Sequence, residues 1–221
     1  PNTRPECAHG VIEPPSWTAA PSMLEDKNTL FFFDYVDPGS YLASTLLADI
    51  GSGLDAAEPL DFRGFEVRVP PAPLIEPTDT DWLTYQQNVT SFAEAMDVEL
   101  NPPTLVPWTR KAHELGAHAR ERDCYPEVRS ALFRAHFIEG LDIGRIDVLV
   151  GIAAASGLDR SETKAALDVD RYTEAVESDR AMGEERNVVG VPTFVRGAKR
   201  LEGLRSPDEI RSWMRSLDPH T

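Results

Sequence analysis

Leu30-Phe31-Phe32-Phe33-Asp34-Tyr35-Val36-Asp37-Pro38-Gly39-Ser40-Tyr41-Leu42-Ala43-Ser44-Thr45-Leu46-Leu47 is the stretch that decides the fold. Residues 30–36 form a short aromatic and apolar run broken only by Asp34, as in a central strand. Asp37 is a favoured N-cap type, and Pro38 stands where a helix takes proline as its first residue. Tyr41, Leu42, Thr45 and Leu46 then recur at helical spacing. A strand therefore runs directly into a helix N-terminus. Such an end presents unpaired N–H groups and partial positive charge, and it can bind an anion or favour a thiolate.

Upstream, residues 1–27 place Pro1, Pro5, Pro14, Pro15 and Pro21 in a segment without hydrophobic period. They read as an irregular or disordered arm that Trp17 could pin to the body. Downstream, Gly51-Ser52-Gly53 closes the first helix, and residues 60–69 alternate as a second strand. Strand, helix, strand predicts a parallel pair. Pro70-Pro71-Ala72-Pro73 stops it. Helices are then expected over 81–98, 107–121, 124–140, 146–156, 161–167 (capped by Ser161) and 169–186, the last ended by Asn187. An apolar strand with Pro192 spans 188–195, a turn at Gly197-Ala198-Lys199 leads to a short strand at Leu201, and Ser206-Pro207-Asp208-Glu209 opens a final helix to Leu217. The pattern alone gives an α/β or α+β chain with a helical subdomain.

Composition narrows the partners. The 221 residues suffice for one large domain, and 41% apolar residues supply a core. No apolar run reaches the ~18–20 residues of a membrane span. A net charge of -15 argues against nucleic acid and anionic membranes, which need basic patches. No signal-peptide pattern is visible, although the chain opens on Pro1 rather than Met. Cys7 and Cys124 form neither CxxC nor a metal spacing; a disulfide between them stays open, with free thiols in a reducing, cytoplasmic compartment as the favoured expectation. His9, His113, His118, His136 and His220 show no ligand spacing, and no metal site is expected.

Several stretches together carry a family resemblance. They are the strand and junction above, Phe65-Glu66-Val67-Arg68, residues 131–140 (ALFRAHFIEG) with Asp142-Ile143, the run from Val148-Leu149 to Gly157-Leu158-Asp159, and Gly190-Val191-Pro192-Thr193-Phe194-Val195. In this order the chain resembles DsbA-like thioredoxin-fold proteins. It is most similar to the branch of FrnE-type proteins, 2-hydroxychromene-2-carboxylate isomerases and kappa-class glutathione transferases. The resemblance covers about residues 29–217. It implies an α/β thioredoxin-like fold, residues 28–78 and 169–221, with an inserted all-helical subdomain at 79–168 behind the 1–27 arm.

It also implies a site. Relatives carry C-P-x-C at the junction in redox members and S-P-x-S in isomerases and transferases, whereas this chain has Asp37-Pro38-Gly39-Ser40. By resemblance Pro192 is cis and faces the junction, with Val191 offering main-chain groups to a peptide or to glutathione, and Tyr41 and Thr193 alongside. The isomerase branch grips glutathione at a Gly-x-Asp-Arg-like turn; the nearest equivalent, Glu202-Gly203-Leu204-Arg205, lacks the aspartate.

Asp37 and Ser40 admit two roles. As catalytic groups they would orient a proton transfer on a small substrate. As structure, Asp37 caps the helix and Ser40 is its third residue. A carboxylate at residue 37 repels a thiolate rather than stabilising it. Dithiol chemistry is excluded at this junction, since neither position holds a thiol. The expected function is an isomerase-like, non-dithiol enzyme acting on a small molecule, with glutathione as a candidate cofactor and a homodimer as a candidate assembly. The alternative is a redox-inert module that binds a peptide or partner in the groove near Pro192.

Overall fold

The computed structural model describes residues 28–51 and 60–217. The expectations for the arm, Trp17, Cys7, His9, Ser52-Gly53 and His220 lie outside the described residues. In chain order the elements are β1 (Thr29–Phe33), α1 (Pro38–Gly51), β2 (Leu60–Gly64), α2 (Thr80–Ala95), α3 (Arg110–Arg120), α4 (Tyr125–Phe137), α5 (Ile146–Ala155), α6 (Arg160–Asp168), α7 (Thr173–Glu185), β3 (Thr193–Arg196), β4 (Lys199–Glu202) and α8 (Pro207–Arg215). They divide into two compact units. One holds residues 28–67 and 179–217, the other residues 68–178.

The first unit is built on a mixed four-stranded sheet in the order β2-β1-β3-β4. β1 and β2 are parallel, as the strand–helix–strand order requires, in register Phe31↔Phe62. β3 runs antiparallel to β1 (Phe31↔Phe194) and to β4 (Phe194↔Leu201). Every residue of β1 is buried, which explains its unbroken apolar run: a central strand covered on both faces has no polar side to show. On one face Phe31 meets Phe62 edge-on at 5.2 Å and Phe194 at 4.6 Å between ring centroids. Phe194 in turn approaches Trp213 of α8 at 6.1 Å. On the other face Leu30, Phe32, Phe65, Val188 and Val195 cluster, with Met182 of α7 against them. Gly183 lets α7 lie close there, because a Cβ would stand 2.8 Å from Phe65 and 3.1 Å from Phe32. Asp179 fastens the same helix to the end of β2. It accepts from the Arg63 guanidinium at 2.9 Å and from Gly64 N–H at 3.2 Å.

The second unit is helical, as expected. His118 of α3 is fully buried and sits in a directional hydrogen-bond chain. The Tyr172 hydroxyl donates to Glu121 Oε2 at 2.6 Å, so it can only accept from His118 Nδ1 at 3.2 Å. His118 Nε2 then accepts from the Thr163 hydroxyl at 3.2 Å, which joins α6 to α3. His136 packs edge-on against Phe137 at 4.8 Å, in keeping with a packing role.

The ends of several elements differ from expectation. β2 stops at Gly64, because Phe65 and Glu66 turn inward and the Val67 N–H goes to the Asp34 carboxylate instead of a ladder. β3 starts at Thr193, after the proline that lacks a ladder donor. α6 is capped by Asp159, whose carboxylate accepts from Glu162 N–H at 2.7 Å, and Ser161 lies inside the helix. Asn187 (φ 57°) ends α7 as expected, and aspartates perform that task after α2, α3 and α6: Asp97, Asp123 and Asp170, each at φ 55°. Ser206 and Glu209 form a reciprocal capping box on α8. No helix among the described residues is long and apolar enough to cross a membrane.

Candidate functional site: the junction of β1 and α1

Register places the predicted residues. β1 pairs with β3 through Phe32↔Thr193, so the antiparallel strand continues into Pro192 and Val191 at the end of the sheet from which residues 34–37 emerge. The Val191–Pro192 bond is cis, as the resemblance implies. A second cis bond, Pro70–Pro71, was not anticipated. Pro192 and Thr193 are buried. The Pro192 carbonyl accepts from Gly203 N–H at 2.8 Å, and the Thr193 hydroxyl donates to the Gly190 carbonyl at 2.8 Å. That segment is thereby held from both sides. Among the described residues the Val191 N–H and C=O take no backbone hydrogen bond.

Asp37 and Ser40 are brought into direct contact. Asp37 Oδ2 accepts from the Ser40 N–H at 2.6 Å and from the Ser40 hydroxyl at 2.6 Å. Its carbonyl accepts from Tyr41 N–H at 3.1 Å, the first bond of α1. This is N-cap geometry, with Pro38 as the first helical residue. Ser40 Oγ also accepts from Asp34 N–H at 3.3 Å. The single proton of that hydroxyl is committed to Asp37, so Ser40 has none left to give a ligand in this arrangement. Asp37 is 2% and Ser40 0% exposed. Tyr41 is half-buried on the following turn.

Asp34 is the residue that sequence reasoning passed over. It is fully buried, its carbonyl accepts from Asp37 N–H at 3.2 Å, and its carboxylate takes the Val67 N–H at 2.5 Å. It therefore ties the junction to the chain leaving β2. The available signal was a lone carboxylate inside an apolar run, since a buried acid persists only where it is hydrogen-bonded. The network makes a stability prediction. Ser40→Ala removes the donor to Asp37 and the acceptor of Asp34 N–H, and should cost ~1–3 kcal/mol in urea unfolding. An unchanged midpoint would mean that water replaces the hydroxyl.

Among the described residues no group of acidic, histidine or cysteine side chains could hold a metal ion. Cys124 is buried and disulfide-bonded, which corrects the expectation of a free thiol there.

The model of the DSBA-like thioredoxin domain matches residues 29–215. The chain belongs to the DsbA-like thioredoxin family. An uncharacterised protein of Bacillus subtilis (strain 168), YwbO, is 29% identical over 182 residues, covering 80% of this chain and 90% of that one. A probable DsbA oxidoreductase from Streptomyces coelicolor superposes with a TM-score of 0.73 at 19% identity, over 86% of this chain and 89% of its own. A 2-hydroxychromene-2-carboxylate isomerase does so at 0.69 and 20% identity, over 86% and 95%. At these identities the two structures show the thioredoxin-like fold. Within that DsbA-like frame this chain has two cysteines and neither is at the junction.

Proposed function

We propose that this DsbA-family chain is a redox-inert binding protein that takes an extended, peptide-like ligand along Val191, beside the cis proline. The observation that carries the reading is the junction itself. Asp37 and Ser40 stand where dithiol members keep cysteines, and each is spent on the other as a helix cap. The main-chain groups of Val191 remain for a ligand strand, and such pairing needs no reactive side chain. Asp37 adds a charge that disfavours a thiolate.

Two measurements test this. Insulin reduction should be absent, and turnover that survives Cys7→Ser plus Cys124→Ser would contradict the reading, because no thiol would remain. S-methylglutathione, a tripeptide with no thiol to ionise, should shift the Val191 amide resonance in the parent protein. Reduced glutathione, a neutral thiol at pH 7, should do the same, and where its thiol ionises it should bind Asp37→Ser more tightly than the parent. If S-methylglutathione leaves Val191 unmoved at saturation of solubility, the groove is not a peptide site.

A second reading is an isomerase-type enzyme. Its support is the Ser40 hydroxyl 2.6 Å from the Asp37 carboxylate, a pair that can pass a proton. Isomerisation of an aromatic acid that vanishes in Asp37→Asn would favour it. Homodimerisation belongs to either reading and is scored by size-exclusion chromatography. A cytoplasmic location is proposed with them. The disulfide at Cys124 is the observation against it, since a reducing compartment opens such bonds; fractionation with thiol labelling decides.

A further inference from the structure

In the helical unit, α2 presents an uncovered face. Of its sixteen residues only Val89 and Ala93 are buried. Leu83, Gln86, Gln87, Thr90 and Ser91 recur along one side of the helix, and with Pro102 they line a groove of about 330 Å³. None of these six side chains is charged. Leu83 is 40% exposed there, a large apolar side chain left at the surface.

The charges along this stretch have one sign. Between Arg68 and Arg110 the chain holds Glu76, Asp79, Asp81, Glu94, Asp97 and Glu99 and no lysine, arginine or histidine. Asp79 stands four residues before Leu83 and Glu94 four after Thr90. Helical spacing therefore puts one carboxylate beyond each end of the groove, about 22 Å apart. Asp79 accepts from Trp82 N–H at 2.9 Å as the helix cap. Neither Asp79 nor Glu94 has an ion pair among the described residues. On α6, α7 and α8, by contrast, exposed carboxylates are matched within the same helix: Asp168 by Lys164, Glu184 by Arg180 and Asp208 by Arg211. Glu94 also lies in the last turn of α2, which holds no basic residue. A carboxylate there opposes the helix dipole, and a cation brought to that end relieves it.

We propose that the groove along α2 docks a basic amphipathic helix of a partner protein, which lays apolar side chains on Leu83 and Pro102 and brings lysines or arginines to Glu94 and Asp79. Charge complementarity selects this occupant. A second copy meeting the first through the same face would set carboxylate against carboxylate. Residues 1–27 hold Arg4 and Lys27 against Glu6, Glu13, Glu25 and Asp26, so the chain's own arm offers no basic stretch for it. The docking site is independent of the groove beside Val191, and either can exist without the other.

The test uses the amphipathic peptide LKKLLKLLKKLLKL as probe on the full chain, followed by amide resonances. It should shift Leu83, Gln87, Thr90 and Glu94 saturably. The peptide SKKSSKSSKKSSKS, with the same charge and no apolar face, should bind roughly tenfold more weakly or worse. Glu94→Lys should weaken the leucine peptide roughly tenfold, because a repulsion replaces an attraction at the groove. It should melt no lower than the parent, since lysine suits a helix C-terminus. Glu185→Lys is the control. Glu185 is likewise exposed in the last turn of its own helix, α7, and the same change of charge there should alter affinity by less than about twofold. The proposal is overturned if the α2 resonances do not respond, or if the serine peptide binds as tightly as the leucine one. It is also overturned if Glu185→Lys weakens binding as much as Glu94→Lys, because the attraction would then belong to the overall charge of -15 and not to this face.

Discussion

Phe31→Ala should cost ~3–5 kcal/mol of folding stability, the largest loss expected from any single side chain in the sheet. Phe31 is 0% exposed at the centre of β1. It faces Phe62 directly across the parallel ladder and Phe194 directly across the antiparallel one. Its ring also lies parallel to that of Phe33 at 6.0 Å between centroids. Truncation therefore removes three aromatic contacts as well as the buried area, and it leaves a cavity between three strands that cannot close without moving backbone. Phe31→Leu refills most of that volume and should cost well under half as much. Urea unfolding of the three proteins reads the difference. A Phe31→Ala loss of only ~1 kcal/mol would mean that the sheet relaxes around the gap, against the packing described here.

Acid should loosen the helical unit through His118. Burial, with Arg122 adding to it, pushes its pKa from 6.5 down to about 4. The imidazole is therefore neutral in the folded chain at pH values where it would be protonated in the unfolded chain. Its contribution is fully present above pH 6.5 and is lost as pH falls from 6.5 towards 4, about 3 kcal/mol in all. The hydrogen-bond chain gives the same sign: a proton arriving at Nε2 displaces the hydrogen donated by Thr163. Glu114 works in the opposite direction. Burial raises its pKa, so its contribution is present below about pH 4.5 and lost as pH rises. The parent curve alone mixes the two, and the informative quantity is its difference from His118→Gln. Between pH 6 and 4.5 the parent should lose ~1 kcal/mol per pH unit relative to that variant. Parallel curves would mean that His118 titrates normally in the fold.

What the chain carries locally was legible without coordinates. The aromatic run of β1, the Asp37-Pro38 entry to α1, the helical periods and the Ser206 box each depend on neighbours a few residues away, so sequence alone places them. The family frame was legible for a related reason: the motifs that carry the resemblance stand in one order along the chain, and the family's model matches residues 29–215. Tertiary structure decided what those positions do. No local rule says that the Ser40 proton goes to Asp37, that Asp34 reaches 33 residues along to Val67, or that β2 ends early because of it. Nor could periodicity tell a satisfied buried histidine from a surface one, or show that Thr109 precedes α3 without a side-chain cap hydrogen bond among the described residues. Hydrogen bonds between distant segments are set by which groups the fold removes from water, and that is known only once every element is in place.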